Sequence, residues 1–157
     1  MTDPTPRPIT VAIAALGGQG GGVLAGWIVE TAEAAGYLAQ STSVPGVAQR
    51  TGATVYCVEL FPRQAAEAAG KDPVLALMPM PGDVDIVLAS EWMEAGRSIQ
   101  RGFVTPDMTT LIASTHREYA ISEKSALGDG IADADAVMAA ARERAKRLVA
   151  FDMQEQA

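Results

Sequence analysis

Ala15-Leu16-Gly17-Gly18-Gln19-Gly20-Gly21-Gly22 is the stretch on which the reading of this chain turns. An apolar run, Ile9 to Leu16, leads into it, and a helix-like segment, Val23 to Ala35, leads out. Strand, glycine turn and helix form the opening of a βαβ unit. So little side chain in the turn lets backbone N–H groups approach a ligand. The helix N-terminus behind it adds partial positive charge, so the place suits an anionic group. The spacing reads A-x-G-x-x-G, with Ala15 at the first glycine position of the dinucleotide fingerprint. A tight turn that only packs helix against strand fits the same residues, and both readings stay open at this point.

Outward from the turn, Ile9 to Leu16 has the continuous apolar character of a parallel strand covered on both faces. Val23, Leu24, Trp27, Ile28, Thr31 and Ala35 recur at helical spacing, and Gly36 is a natural stop. Tyr37 to Ser41 predicts a second strand and Ala53 to Leu60 a third. Between them lies a long loop, Thr42 to Gly52, of the kind that often carries function. No helix separates strands two and three, so a mixed or antiparallel segment is expected there. Arg63 to Gly70 predicts a short helix, Val74 to Met78 a brief strand, and Asp85 to Ala89 another buried strand. Ser90 is positioned to cap a helix over 91–100. Thr110 to Ala113 predicts a strand, Asp133 to Leu148 a final helix with Glu143 and Arg147 as an i,i+4 pair, and Val149 to Met153 one more strand. The fold class is thus α/β: a three-layer α/β/α, Rossmann-like, mostly parallel sheet. Residues 1–8, with Pro4, Pro6 and Pro8, read as a flexible arm, and residues 9–157 as one domain.

Composition narrows the functions. The chain has 157 residues, 48% of them hydrophobic, and a net charge of −7, which argues against a nucleic-acid or anionic-membrane surface. No run approaches the ~20 apolar residues of a membrane span, and the polar start lacks the apolar stretch of a secretory signal, so a cytoplasmic location is expected. The single cysteine, Cys57, excludes an internal disulfide and an iron–sulfur cluster held by this chain alone. It lies in a strand-like run and reads as a buried, inert thiol. One histidine excludes a His-rich zinc site. Trp27, Trp92, Met78, Met80 and Met93 read as packing residues, and Asp83 and Asp85 as capping or solvated carboxylates.

The known nucleotide sites fit poorly. A dehydrogenase wants an acid at the end of strand two, where this chain has Gln40-Ser41. A P-loop wants Lys-Ser or Lys-Thr after the glycines, and neither follows. His116, with Arg117, stands just beyond the carboxyl end of a strand, where open α/β sheets bind ligands; a surface histidine is the bland alternative.

The glycine turn and the later loop together resemble a known family. Leu16-Gly17-Gly18-Gln19-Gly20, then Ser43-Val44-Pro45-Gly46-Val47-Ala48-Gln49-Arg50-Thr51-Gly52, is similar to the gamma-type subunit of 2-oxoacid:ferredoxin oxidoreductases, and most to the beta subunit of the indolepyruvate type. That family shows G-x-G-G-Q-G followed by S-E-V-H-G-M-A-Q-R-G-G. Pro79 to Asp85, Glu91, Glu94 to Arg97, Thr115-His116-Arg117 and Glu123-Lys124 extend the likeness. Ala15, Val44-Pro45 and Thr51 depart from the pattern. The resemblance implies the domain III type of fold found in pyruvate:ferredoxin oxidoreductase, here one gamma-type domain that stops short of the family's C-terminus. It implies a role in oxidative decarboxylation of a 2-oxoacid to an acyl-CoA, in a complex with a catalytic subunit and, indirectly, ferredoxin. Thiamine diphosphate, iron–sulfur clusters and coenzyme A then belong to the complex, with no cofactor held securely by this chain, and the chain alone is expected to be inactive. No catalytic residue is assigned. The expected binding residues are Gly17, Gly18, Gln19, Gly20, Ser43, Gln49, Arg50 and His116. A free-standing nucleotide-binding protein using NAD or a flavin, or an interaction module that has lost its ligand, are the alternatives.

Overall fold

The computed structural model describes residues 6–44, 53–119, 124 and 133–156. In chain order they form β1 (Ile9–Ala15), α1 (Gly21–Ala34), β2 (Tyr37–Val44), β3 (Thr54–Pro62), α2 (Arg63–Ala69), β4 (Ile86–Ala89), α3 (Trp92–Gln100), β5 (Thr110–Ser114), α4 (Ala134–Arg144) and β6 (Arg147–Phe151). The strands make one six-stranded sheet in the order β2-β3-β1-β4-β5-β6. β3 runs against both of its neighbours, and β1, β4, β5 and β6 are mutually parallel. Only nine residues separate the end of β2 from the start of β3, fewer than the dozen or more that a parallel crossover needs, so the two strands pair antiparallel.

β1 lies inside the sheet, and Thr10 to Ala15 are all buried. Its alternate residues face opposite layers. Val11, Ile13 and Ala15 meet Ala25, Leu24 and Ile28 of α1 and Val58 of β3. Ala12 joins Val87, Leu111 and Ala113 beneath Trp92, Met93 and Ala95 of α3 and Ala141 of α4. A Cβ on Gly96 would stand 3.2 Å from Val137 Cγ2, so the missing side chain lets α3 and α4 pack closely.

Several elements differ from the sequence-based expectation, each for a local reason. Val74 to Met78 forms no strand. Its backbone is held instead by side chains of the sheet: Ala76 N–H donates to Glu59, Gln40 Nε2 to Ala76 O (3.2 Å) and Thr42 Oγ1 to Leu77 O (2.6 Å). β2 continues to Val44, so Thr42 to Val44 belong to a strand rather than to the following loop. The last helix ends at Arg144, and Arg147 already belongs to β6, because Thr109 O accepts from the N–H groups of Lys146 and Arg147 beside β5. The expected Glu143–Arg147 pair is therefore not formed, and Glu143 pairs with Arg144 at 3.5 Å. Trp27, Met78 and Met80 are exposed, whereas Trp92 and Met93 are buried as packing residues.

Cys57 is buried within β3, and burial together with the Glu59 carboxylate pushes its thiol up to about 11, so it stays protonated at neutral pH. At the amino end of the sheet, Asp85 accepts from Thr10 N (2.9 Å) and pairs with Arg7, which also reaches Asp83 at 3.1 Å.

The strand-to-helix turn depends on one absent side chain. A Cβ on Gly21 would lie 2.6 Å from Ala15 Cβ and 2.8 Å from Tyr56 Cε2. Ala15 Cβ cannot retreat without shifting β1. Gly21→Ala should therefore cost about 1–3 kcal/mol, as overpacking of a filled core does. Urea unfolding checks this, and an unchanged midpoint would contradict it.

Candidate functional site

The carboxyl ends of β1, β4, β5 and β6 lie along one edge of the sheet, where ligands of open α/β folds bind. β2 ends on the same edge, since it runs parallel to β1 through the shared antiparallel neighbour β3. The glycine turn leaves β1 in the middle of this edge. Gly18 (φ 86°) and Gly20 (φ 73°) have left-handed backbones, which few other residues adopt. Gly20 precedes α1, and no side chain caps the helix. Among the described residues a Cβ at Gly17, Gly18 or Gly20 would meet nothing within 4 Å, so these leave the turn's backbone surface open.

Gln19 fixes this turn in place. Its Oε1 accepts from Leu16 N–H at 2.9 Å and from Ser90 Oγ, and its Nε2 donates to Glu118 Oε2 at 3.4 Å. One amide thus joins the turn after β1, the turn after β4 and the segment after β5. Ser90 Oγ also lies 3.2 Å from Ala14 O, so its single proton is shared between Gln19 Oε1 and that carbonyl. Ser90 therefore ties two turns together and does not cap α3. The cap is Glu91, whose Oε2 accepts from Met93 N–H at 2.7 Å.

Glu91 and Glu94 are both buried, although their sequence positions mark them only as acids in a helix's first turn. Glu91 Oε1 accepts from Glu118 N–H at 3.2 Å and lies 3.6 Å from Arg117 Nη1. The Arg117 guanidinium also lies over the Tyr119 ring, 4.9 Å from its centre. Glu94 pairs with Arg97 one turn on. Burial pushes the Glu91 carboxyl above its ordinary value, against the lowering effect of the Glu118 and Met93 amides and the Arg117 charge. The sequence signal was present in part: an acid directly after a strand's carboxyl end, with an Arg-Glu pair after the next strand.

The expected site residues are only partly brought together. Gly17, Gly18, Gln19 and Gly20 form the turn itself. Ser43 is exposed near the end of β2, opposite Tyr56, which in turn lies opposite Ile13 of β1. Two strand spacings separate it from β1, roughly 10 Å. It shares the sheet face of Tyr56, whose ring lies under Gly21 and Gly22. His116 sits on the other side of the turn. Its N–H donates to Ser114 Oγ (3.2 Å), its carbonyl accepts from Trp92 N–H (3.1 Å), and its Nδ1 lies 4.0 Å from Asp152 Oδ2. The imidazole is thus beside the end of β6, and it is Glu118, two residues on, that touches Gln19. Gln49 and Arg50 lie outside the described residues; the ends of the segment that carries them, Val44 and Ala53, lie at the same edge as the glycine turn.

Because Glu91 is more easily protonated in the folded chain than in the unfolded one, the folded state binds more protons above pH 4.5, the ordinary glutamate value. Its contribution to stability therefore falls as pH rises from that value through the raised one. Glu91→Gln should lose less stability than the wild type between pH 4.5 and neutrality, as measured by urea unfolding across that range. Parallel pH profiles for the two proteins would contradict this.

The comparisons agree with this architecture. The structure of 2-oxoglutarate:ferredoxin oxidoreductase from Magnetococcus marinus, which has 2-oxoglutarate, coenzyme A and succinyl-CoA bound, is similar with a TM-score of 0.53 and 12% identity. The likeness covers 94% of this chain and 20% of that one, so the chain spans about a fifth of its length. No curated protein matches the sequence. The family model for pyruvate ferredoxin/flavodoxin oxidoreductase matches residues 10–157, from β1 through β6 and beyond, and the chain belongs to that family.

Proposed function

We propose that this chain is a subunit or domain of a 2-oxoacid:ferredoxin oxidoreductase, acting in thiamine-dependent oxidative decarboxylation of a 2-oxoacid to an acyl-CoA. The observation that carries the reading is the family match across 10–157. An aryl 2-oxoacid of the indolepyruvate kind is the proposed substrate, on the motif pairing of Leu16–Gly20 with Ser43–Gly52. The catalytic subunit, with ferredoxin downstream, is the proposed partner, and the cytoplasm the proposed location. Among the described residues no helix is long and apolar enough to cross a membrane.

The cofactors of such a complex fit this chain unequally. An iron–sulfur cluster needs several thiolates, and the one thiol here is buried and held protonated. Among the described residues no three His, Cys, Asp or Glu side chains stand together as metal ligands. Coenzyme A fits better. Its phosphates are anionic, and the open backbone at Gly17, Gly18 and Gly20, ahead of an uncapped helix, presents N–H groups to such a ligand. In this reading Gln19 holds the turn in its binding shape. Ser43 and His116 stand on either side of it, and Gln49 and Arg50, outside the described residues, are proposed to complete the site, with Arg50 suited to a bidentate contact with phosphate or carboxylate. The chain's own contribution is to bind and orient, while the cofactors held elsewhere carry the redox chemistry.

Co-expression with a candidate large subunit tests the reading. The complex should reduce ferredoxin only with a 2-oxoacid and coenzyme A present, and neither part should do so alone. Arg50→Ala should lower turnover about tenfold or more by removing a charge-assisted contact. Stoichiometric NAD or flavin on the isolated chain would overturn the proposal in favour of a free-standing nucleotide-binding protein.

A further inference from the structure

Residues 71–81 cross one face of the sheet as a strap. Thr42 of β2 lies opposite Cys57 of β3, and Cys57 opposite Ala12 of β1. Paired residues share a face of the sheet, as do residues two apart on one strand. Thr42, Cys57 and Glu59 therefore point the same way. The strap is held at the neighbours of Cys57. Thr42 Oγ1 donates to Leu77 O (2.6 Å), Gln40 Nε2 donates to Ala76 O (3.2 Å), and the Glu59 carboxylate accepts from Ala76 N–H. Cys57 itself is 2% exposed, and it is the only thiol of the chain.

The strap is built to separate from the sheet. Among the described residues no backbone hydrogen bond joins it to a strand, and its backbone bonds lie at its two ends, from Lys71 N–H to Ala66 O and from Asp83 N–H to Met80 O. Its apolar side chains face outward: Val74 (96%), Leu77 (70%) and Met78 (56%) are exposed, and only Pro79 of the strap is buried. Closing it thus gains little from the hydrophobic effect, and side-chain hydrogen bonds carry the attachment. Gly70 (φ 63°) and Gly82 (φ 78°) stand at its ends with left-handed backbones, and neither has a neighbour within 4 Å of where a Cβ would be. Such positions absorb the backbone rotation of a hinge. Pro73, Pro79 and Pro81 fix φ between them, so the segment moves as a stiff piece.

We propose that residues 71–81 open as one unit about Gly70 and Gly82 while the sheet stays folded, and that this opening turns Cys57 from a sealed residue into a site of thiol modification. Segments with few buried apolar contacts open locally, at a lower free energy than the whole domain. In the closed state burial and the Glu59 carboxylate keep the thiol protonated. Opening admits water and removes the larger of these two effects, so more of the reactive thiolate forms. The proposal does not rest on the oxidoreductase reading.

Iodoacetamide labelling of the full chain, read by intact mass, tests it together with amide hydrogen exchange at Ala76. Below the unfolding transition, the wild-type labelling rate should hardly change with urea, because a local opening exposes little surface. Thr42→Val keeps the branched shape in β2 and removes one strap bond. It should speed both Cys57 labelling and Ala76 exchange about threefold to tenfold, with an unchanged far-UV circular dichroism spectrum. Gln40→Leu removes a second bond at another point and should act in the same direction, which guards against a packing defect in the first variant. Labelling that rises with urea as steeply as global unfolding would overturn the proposal. So would a Cys57 rate that stays the same in both variants, whether or not Ala76 exchange increases.

Discussion

The side-chain amide of Gln19 is the contact through which the carboxyl edge of this sheet acquires a single shape. A turn made of Gly17, Gly18 and Gly20 has no side chains with which to hold itself, and left-handed glycines lose more freedom on folding than other residues do. Gln19 supplies the missing restraint by bonding back to Leu16 N–H and outward to Ser90 and Glu118. Those two partners are themselves fixed. Ser90 is bonded to β1, and the Glu118 backbone N–H is bonded to the buried Glu91 carboxylate. The glycine turn is therefore held in one conformation by contacts within the chain itself.

Packing and polar restraint divide the work at this edge. Gly21 brings α1 against Ala15 and Tyr56, which sets the direction of the helix and places its uncapped N-terminus beside the turn. Glu91 caps α3 and holds the segment after β5. The two helices on opposite faces of the sheet are thereby joined through hydrogen bonds at the strand ends rather than through the core. The family match from residue 10 onward spans all of these elements, from β1 through β6.

Much of the fold was legible in the sequence, because periodicity and turn residues act locally. The apolar run of β1, the glycine turn, the strands β4 and β5 and the reversal of β3 followed from the patterns of Ile9 to Leu16, Gly17 to Gly22, Asp85 to Ala89 and Thr110 to Ala113, and from a sequence without helical periodicity between Ser41 and Ala53. Several misreadings arise where a group distant in sequence takes up a polar atom. Val74 to Met78 has the composition of a strand, yet Glu59, Gln40 and Thr42 take up its polar groups. Ser90 has the chemistry of a helix cap, but Ala14 and Gln19 claim its hydroxyl and leave the role to Glu91. The apolar pattern from Ala134 to Leu148 spans a helix and the start of a strand, since the same residues line one core in both. Of the site, the glycine turn was legible by motif. The buried Glu91 and its contacts with Arg117 and Glu118 were not, because only the fold brings the residues after β4 and β5 together.

Amide hydrogen exchange at Leu16 is the most direct test of the role given to Gln19. In the wild type this N–H donates to Gln19 Oε1 within the turn. Gln19→Ala should speed its exchange by about tenfold or more, the value of one hydrogen bond of 1.4 kcal/mol or greater, while the amides of β1 and β4 keep their protection. Unchanged exchange at Leu16 in that variant would contradict the account and leave the turn to be held by packing alone.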